Sequence, residues 1–141
     1  MKITVICIML VSLFTLFNVN LLLAEQTKED IAIQAAIDWL SLVDEEKYGE
    51  SWETAANFFK NAVQKEQWIA SMNAFRKTLG KLLERKIKDY KYTTALPGAP
   101  DGEYVVIQFE TSFENKKSSI ETITPMLDKD GKWRTSGYFV K

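Results

Sequence analysis

Six side chains are the candidates for chemistry in this chain: Trp52, Arg76, Tyr92, Glu110, Glu121 and Tyr138. A carboxylate held in an apolar cavity becomes a base of raised pKa, and a tyrosine beside it can donate to a developing oxyanion. Glu110 or Glu121 with Tyr92 or Tyr138 would supply that pair, with Arg134 as a further polar neighbour. Glu110 lies two residues from Gln108 on the face of its strand expected to be away from the core, which favours a solvated or cross-strand-paired role. Arg76 follows Phe75 and lies near Met72 on a helical stretch. It either clamps an anionic group or pairs with an acid such as Glu121. The structural pair is the stronger expectation, because arginine buries its stem readily while its head stays paired. Trp52 belongs to an aromatic stripe of helical spacing, a pattern that marks core more often than a ligand box.

Other chemistries are excluded by what is missing. The chain has no His and one Cys, Cys7. A nucleophile activated by histidine is impossible, and so is a zinc site built on imidazole or on a set of thiolates. No residue pattern calls for a cofactor. Asp101-Gly102-Glu103 and Asp128-Lys129-Asp130-Gly131 resemble fragments of calcium loops, but neither has the full carboxylate spacing, and both read as turns.

Residues 1–24 read as an export signal: Lys2, an apolar run from Ile3 to Phe17, Asn18 and Asn20, then Leu21-Leu22-Leu23-Ala24 with cleavage after Ala24. The alternative is an uncleaved anchor, since the run is almost long enough to span a bilayer. Cys7 lies too early to be the lipidated residue of a lipoprotein. Cleavage leaves residues 25–141 as one domain, large enough for a real core. Because Lys2 is the only charge lost, the mature chain is one unit more negative than the −1 of the whole. That balance gives no basic face for nucleic acid. An exported domain with no cysteine left to cross-link suits a bacterial periplasm, or secretion, with no membrane attachment after cleavage.

The elements that must position the candidates fall into two halves. Thr27-Lys28-Glu29-Asp30 reads as a helix start, with Thr27 as N-cap. Ile33, Ile37, Leu40 and Val43 follow at helical spacing, widened by Ala32, Ala36 and Trp39, to an end near Asp44. A second helical segment carries Tyr48, Trp52, Ala55, Ala56, Phe59, Ala62 and Val63, with a break or tight turn expected at Asn57-Phe58-Phe59. A third starts near Lys65-Glu66 with Trp68, Met72, Phe75 and Leu79, and Gly80 stands where a left-handed residue would close it.

Leu82 to Leu96 is ambiguous: Leu82-Leu83-Glu84-Arg85-Lys86 could extend the helix, while Gly80 argues for a strand. Ile87 to Thr94 has strand propensity, with Tyr90 and Tyr92 on one face and lysines suited to an exposed edge. Two of the three prolines and two of the six glycines then sit in the turn Leu96 to Glu103. Tyr104 to Phe113 follows as the clearest strand, with Val105, Ile107, Phe109, Thr111 and Phe113 expected against the helices. Glu114 to Lys117 is a hairpin turn, and Ser118 to Leu127 a strand with a bulge or edge at Pro125. Asp128-Lys129-Asp130-Gly131 is a second hairpin turn. The last strand, Lys132 to Val140, places Trp133, Thr135 and Phe139 on one face and Arg134, Ser136 and Tyr138 on the other. About three N-terminal helices on one face of a curved antiparallel sheet of about four strands make an α+β domain.

Trp39, Asp44, Tyr48, Ser51-Trp52, Trp68, Arg76 and Leu79-Gly80, with Leu96 to Tyr104, Gly131-Lys132-Trp133 and Gly137-Tyr138, resemble an uncharacterised bacterial family, domain-of-unknown-function family 4019. The resemblance covers essentially the whole mature chain. Thr135 departs from it where an aliphatic residue is expected. The resemblance implies a cone-shaped, nuclear-transport-factor-2-like (cystatin-like) layout, in which a curved sheet wraps a helix around a pocket. It brings no established activity, and that fold hosts enzymes and silent binding domains alike. The leading expectation is an exported, non-catalytic module binding a small molecule or a protein. The alternative is an isomerase- or dehydratase-like enzyme using a pocket carboxylate and Tyr, and a homodimer through the open sheet face is a third possibility.

Overall fold

A computed structural model describes residues 24–141 of the chain. The expected leader, apart from Ala24, lies outside the described residues. Helix α1 (Lys28–Asp44) starts where the sequence places it: the Thr27 side chain accepts from the Asp30 N–H and the Asp30 side chain accepts from the Thr27 N–H. Three shorter helices follow, α2 (Tyr48–Glu53), α3 (Asn57–Ala62) and α4 (Lys65–Ala74), and then a 3₁₀ turn, Lys77–Leu79. The helical half therefore has four α-helices where three are expected. The break falls at Thr54–Ala56, and Asn57 opens a helix rather than breaking one. The Ala56 N–H donates 2.8 Å to the Thr135 carbonyl, which ties the break to the sheet and spends a donor the helix would otherwise use.

Leu82 begins a strand. Strands β1 (Leu82–Thr93), β2 (Tyr104–Phe113), β3 (Lys116–Leu127) and β4 (Trp133–Val140) form one antiparallel sheet in the order β1-β2-β3-β4. Helix α1 lies across β2, β3 and β4. The core fills the space between, from Ala32, Ala36, Trp39, Leu40 and Val43 to Val105, Ile107, Phe109 and Ile123. Three members of the expected stripes, Ile37, Ala62 and Phe75, are exposed instead. Ile37, on α1, is 41% exposed. Phe75 is 45% exposed at the frayed end of α4, where the helical period stops.

Bulges decide which side chains face the helices. On β1, Leu83 and Lys88 have no opposite partner, so Arg85, Ile87, Tyr90 and Tyr92 stand opposite Thr111, Phe109, Ile107 and Val105. All four therefore share the concave face. On β4 the bulge sits opposite Pro125, which has no N–H for the ladder: Pro125 pairs Thr135 while Thr124 pairs Gly137, leaving Ser136 extra. The alternation expected along β4 fails at that point. Thr135 and Tyr138 both face inward, and Phe139, expected beside Trp133 and Thr135, is 50% exposed. Tyr104 is also an exception, fully buried although it alternates with core residues, because the Pro/Gly loop folds over it and the Pro100 carbonyl accepts from its hydroxyl at 2.5 Å.

Gly80 closes the 3₁₀ turn rather than α4, at φ 79° and ψ −163°, a region that only glycine visits freely. A Cβ there would lie 2.9 Å from the Glu114 Cβ. Trp68 is 7% exposed and packs edge-on to Phe59 at 5.0 Å, whereas Trp52 is only partly buried. Trp68→Ala should cost about 3–5 kcal/mol of unfolding free energy, the range for buried aromatic truncations, and Trp52→Ala clearly less. Denaturant melts of the two variants check this; equal losses would put Trp52 in the core.

Candidate functional site

Arg76, Glu121 and Tyr138 are brought together in one buried cluster, but through residues the sequence did not single out. Glu121 comes from an inner strand, has no exposed surface, and carries two oxygens that both must be satisfied. Its Oε1 accepts from Arg85 Nε at 2.7 Å and Thr111 Oγ1 at 2.6 Å. Its Oε2 accepts from Arg85 Nη2 at 3.2 Å and Tyr138 OH at 2.6 Å. Arg85 also grips Asp44, the last residue of α1, with Nη1 to Oδ2 at 2.7 Å and Nη2 to Oδ1 at 3.0 Å. Asp44 Oδ1 takes Arg76 Nη2 at 2.9 Å, and Arg76 Nη1 donates to the Gly80 carbonyl at 2.9 Å. The Arg76 guanidinium lies 4.3 Å from the Phe113 ring centroid. The expected partner of Arg76 was Glu121; it is Asp44, and Arg85 is the link to Glu121.

Two carboxylates and two guanidinium groups leave the cluster neutral, which is what a charged group at this depth requires. Burial works against the Arg85 cation, but hydrogen bonds to Asp44 and Glu121 outweigh it and hold its pKa above the ordinary value. The Tyr138 phenol is pushed far up, first by burial and then by the Glu121 charge it donates to. Beyond the cluster the interior is packed with aromatic rings. Tyr138 meets Trp39 at 5.5 Å and Trp39 meets Trp68 at 5.9 Å. Both indoles are pinned by Ser51, Trp39 Nε1 to its carbonyl at 2.7 Å and Trp68 Nε1 to its hydroxyl at 3.0 Å.

The remaining candidates lie apart. Trp52 donates from Nε1 to the Val63 carbonyl at 2.7 Å, joining α2 to the end of α3. Tyr92 sits at the other end of β1, where its hydroxyl donates 2.8 Å to Glu103, which also pairs with Lys28. Glu110 is exposed on the outer sheet face with Glu84, Lys86 and Lys88. The Asp128–Gly131 turn is knit by Arg134, which donates to Asp128 and to both oxygens of Asp130. That pairing holds the Asp130 carboxyl well below the usual range. An open groove of about 840 Å³ runs between α3, the Pro/Gly loop and this turn, and includes Phe58, Pro100, Met126 and Leu127. Among the described residues no group of His, Cys, Asp and Glu is placed to hold a metal, and no helix is long and apolar enough to cross a membrane.

Asp44, Arg85, Thr111 and Tyr48 are the members of this region that sequence reasoning passed over as functional. Asp44 and Tyr48 stood among the residues of the family resemblance, and Arg85 keeps a period of two with Ile87. The Leu83 bulge hides that phase from an ordinary strand count.

Helices over an open antiparallel sheet, closed at one end by a buried ion network, define an α+β domain. The family model described as "Protein of unknown function (DUF4019)" matches residues 35–138, and the chain belongs to that family. The match contains every residue of the ion network. No curated protein matches the chain. A solved structure from Catenulispora acidiphila is similar in fold, with 13% identity, a TM-score of 0.52, and coverage of 79% of this chain and 88% of that one.

The raised Tyr138 phenol gives a pH test. A phenol whose folded pKa lies above its unfolded value of about 10 contributes stability that is whole below that value and is lost as pH rises through the folded one. Tyr48, Tyr92 and Tyr104 are shifted in the same direction. The melting temperature should therefore fall above about pH 10, and Tyr138→Phe should flatten the fall without abolishing it. An unchanged slope in Tyr138→Phe would remove the Tyr138–Glu121 bond from the account.

Proposed function

We propose that this domain works outside the cytoplasm as a non-catalytic binding module for a small molecule or a protein. The observation that carries the non-catalytic part is the saturation of Glu121: Arg85, Thr111 and Tyr138 together fill both oxygens. A general base needs a free lone pair within reach of a substrate proton. Here the inward-facing acid–tyrosine pair has its carboxylate neutralised and its hydroxyl committed, with Trp39 against the tyrosine ring. The export part is supported by the sequence of residues 1–24 and by a mature chain free of Cys. The enzyme alternative draws on the same pair, since Glu121 and Tyr138 do meet inside the cone, but it requires Glu121 to shed a partner in each turnover.

Native mass spectrometry of protein purified from a periplasm tests this reading and counts subunits in the same spectrum. A retained small molecule or a co-purifying protein at fixed stoichiometry is the expected result. Turnover in a broad substrate screen that disappears in Glu121→Gln would overturn the reading in favour of the enzyme.

A further inference from the structure

We propose that Arg76 and Tyr48 bind the carboxylate of a small ligand at the seam between the end of α1, the start of α2 and the 3₁₀ turn. A pocket of about 280 Å³ opens there, lined among others by Asp44, Glu46, Tyr48, Arg76, Gly80 and Glu114. Two of its side chains are buried and each lacks a partner: Arg76, 3% exposed, at Nε, and Tyr48, 4% exposed, at its hydroxyl. Both can donate, and both want the same thing, an acceptor oxygen. Buried polar atoms left empty are costly and uncommon, so two beside one pocket call for an occupant.

The unpaired Nε of Arg76 has a physical cause. Arg85 draws both oxygens of Asp44 to itself, leaving Asp44 able to reach only Nη2 of Arg76. The edge of the Arg76 guanidinium formed by Nε and Nη2 is therefore half filled. Its plane is fixed by the Gly80 carbonyl and the Phe113 ring. A fixed, half-filled guanidinium edge is matched by a carboxylate oxygen. Asp44 is itself held by Arg76 and Arg85.

The rim narrows the ligand class. Glu45, Glu46 and Glu114 stand there with Lys77 and Lys81, a nearly balanced ring that disfavours a multiply charged phosphate and tolerates an ammonium group. A single carboxylate, alone or in an amino-acid-like zwitterion, fits both the donors and the rim. The Lys77–Glu46 contact on the rim is long, at 3.8 Å, with side chains 57% and 53% exposed, so it holds the mouth weakly.

The test rests on the binding-module reading but fails separately from it. The intact protein is titrated with acetate, glycine and inorganic phosphate while the Arg76 Nε–H resonance is followed by NMR. Acetate and glycine should shift it saturably, and phosphate far less. Tyr48→Phe, which keeps the ring and removes only the unpartnered hydroxyl, should weaken carboxylate binding about tenfold, the loss of one hydrogen bond to a charged group. The same variant should melt no lower than wild type when ligand-free. No saturable shift with either carboxylate, equal binding of phosphate, or unchanged affinity in Tyr48→Phe overturns the site. A mass excess retained in native spectra of Tyr48→Phe would leave the binding module standing and place its ligand elsewhere.

Discussion

Glu121 carries a carboxylate at zero exposure on an inner strand, and the rest of the fold is arranged so that this is tolerable. Removing an ion from water costs several kcal/mol even after relaxation, and only close, multiple hydrogen bonds offset that. Arg85 supplies two of them and carries the connection on to Asp44, which carries it to Arg76. The chain of charges thus runs from β3 through β1 to the end of α1 and then to the 3₁₀ turn. It joins the helical layer to the edge of the sheet that α1 does not cover. The two bulges in β1 and the one in β4 acquire a purpose in this light, since without them Arg85 and Tyr138 would not both face Glu121.

Much of this architecture was legible because local signals agreed with each other. Thr27 and Asp30 mark the start of α1 by capping chemistry, and the alternation from Val105 to Phe113 names the buried face of β2 without error. Pro125 marks the place of an irregularity, which falls on the facing strand at Ser136. What the sequence hides is anything that depends on phase being broken. A count of two along β4 sends Tyr138 outward and Phe139 inward, and one extra residue at Ser136 reverses both. The same blindness applies to Arg85, which reads as one charge among Glu84, Arg85 and Lys86 until the Leu83 bulge sets its face. Pairing is the stronger of two expectations for Arg76, but its partner Asp44 lies 32 residues away, and no spacing rule reaches that far.

A pocket between the helices and the sheet is the natural expectation from the family resemblance, and that space is instead occupied by Trp39, Trp68, Tyr138 and the ion network. The open spaces lie outside it. Among them are the groove under the Pro/Gly loop and the small seam where Arg76 and Tyr48 are left with donors to spare. Binding at the seam would act on the network itself, since any ligand oxygen on Arg76 shares that guanidinium with Asp44. Occupancy there and the stability of the helix–sheet junction are therefore linked by mass action.

The central claim, that Glu121 is held as one half of a compensated charge system, is tested most directly by a double-mutant cycle in denaturant. Glu121→Leu alone strands Arg85 with a buried excess charge and should lose about 3–5 kcal/mol. Adding Arg85→Met leaves Asp44 and Arg76 as a balanced pair, and the double variant should recover most of that loss. A double variant that loses the sum of the two single losses, or a Glu121→Leu protein as stable as wild type, would contradict the account.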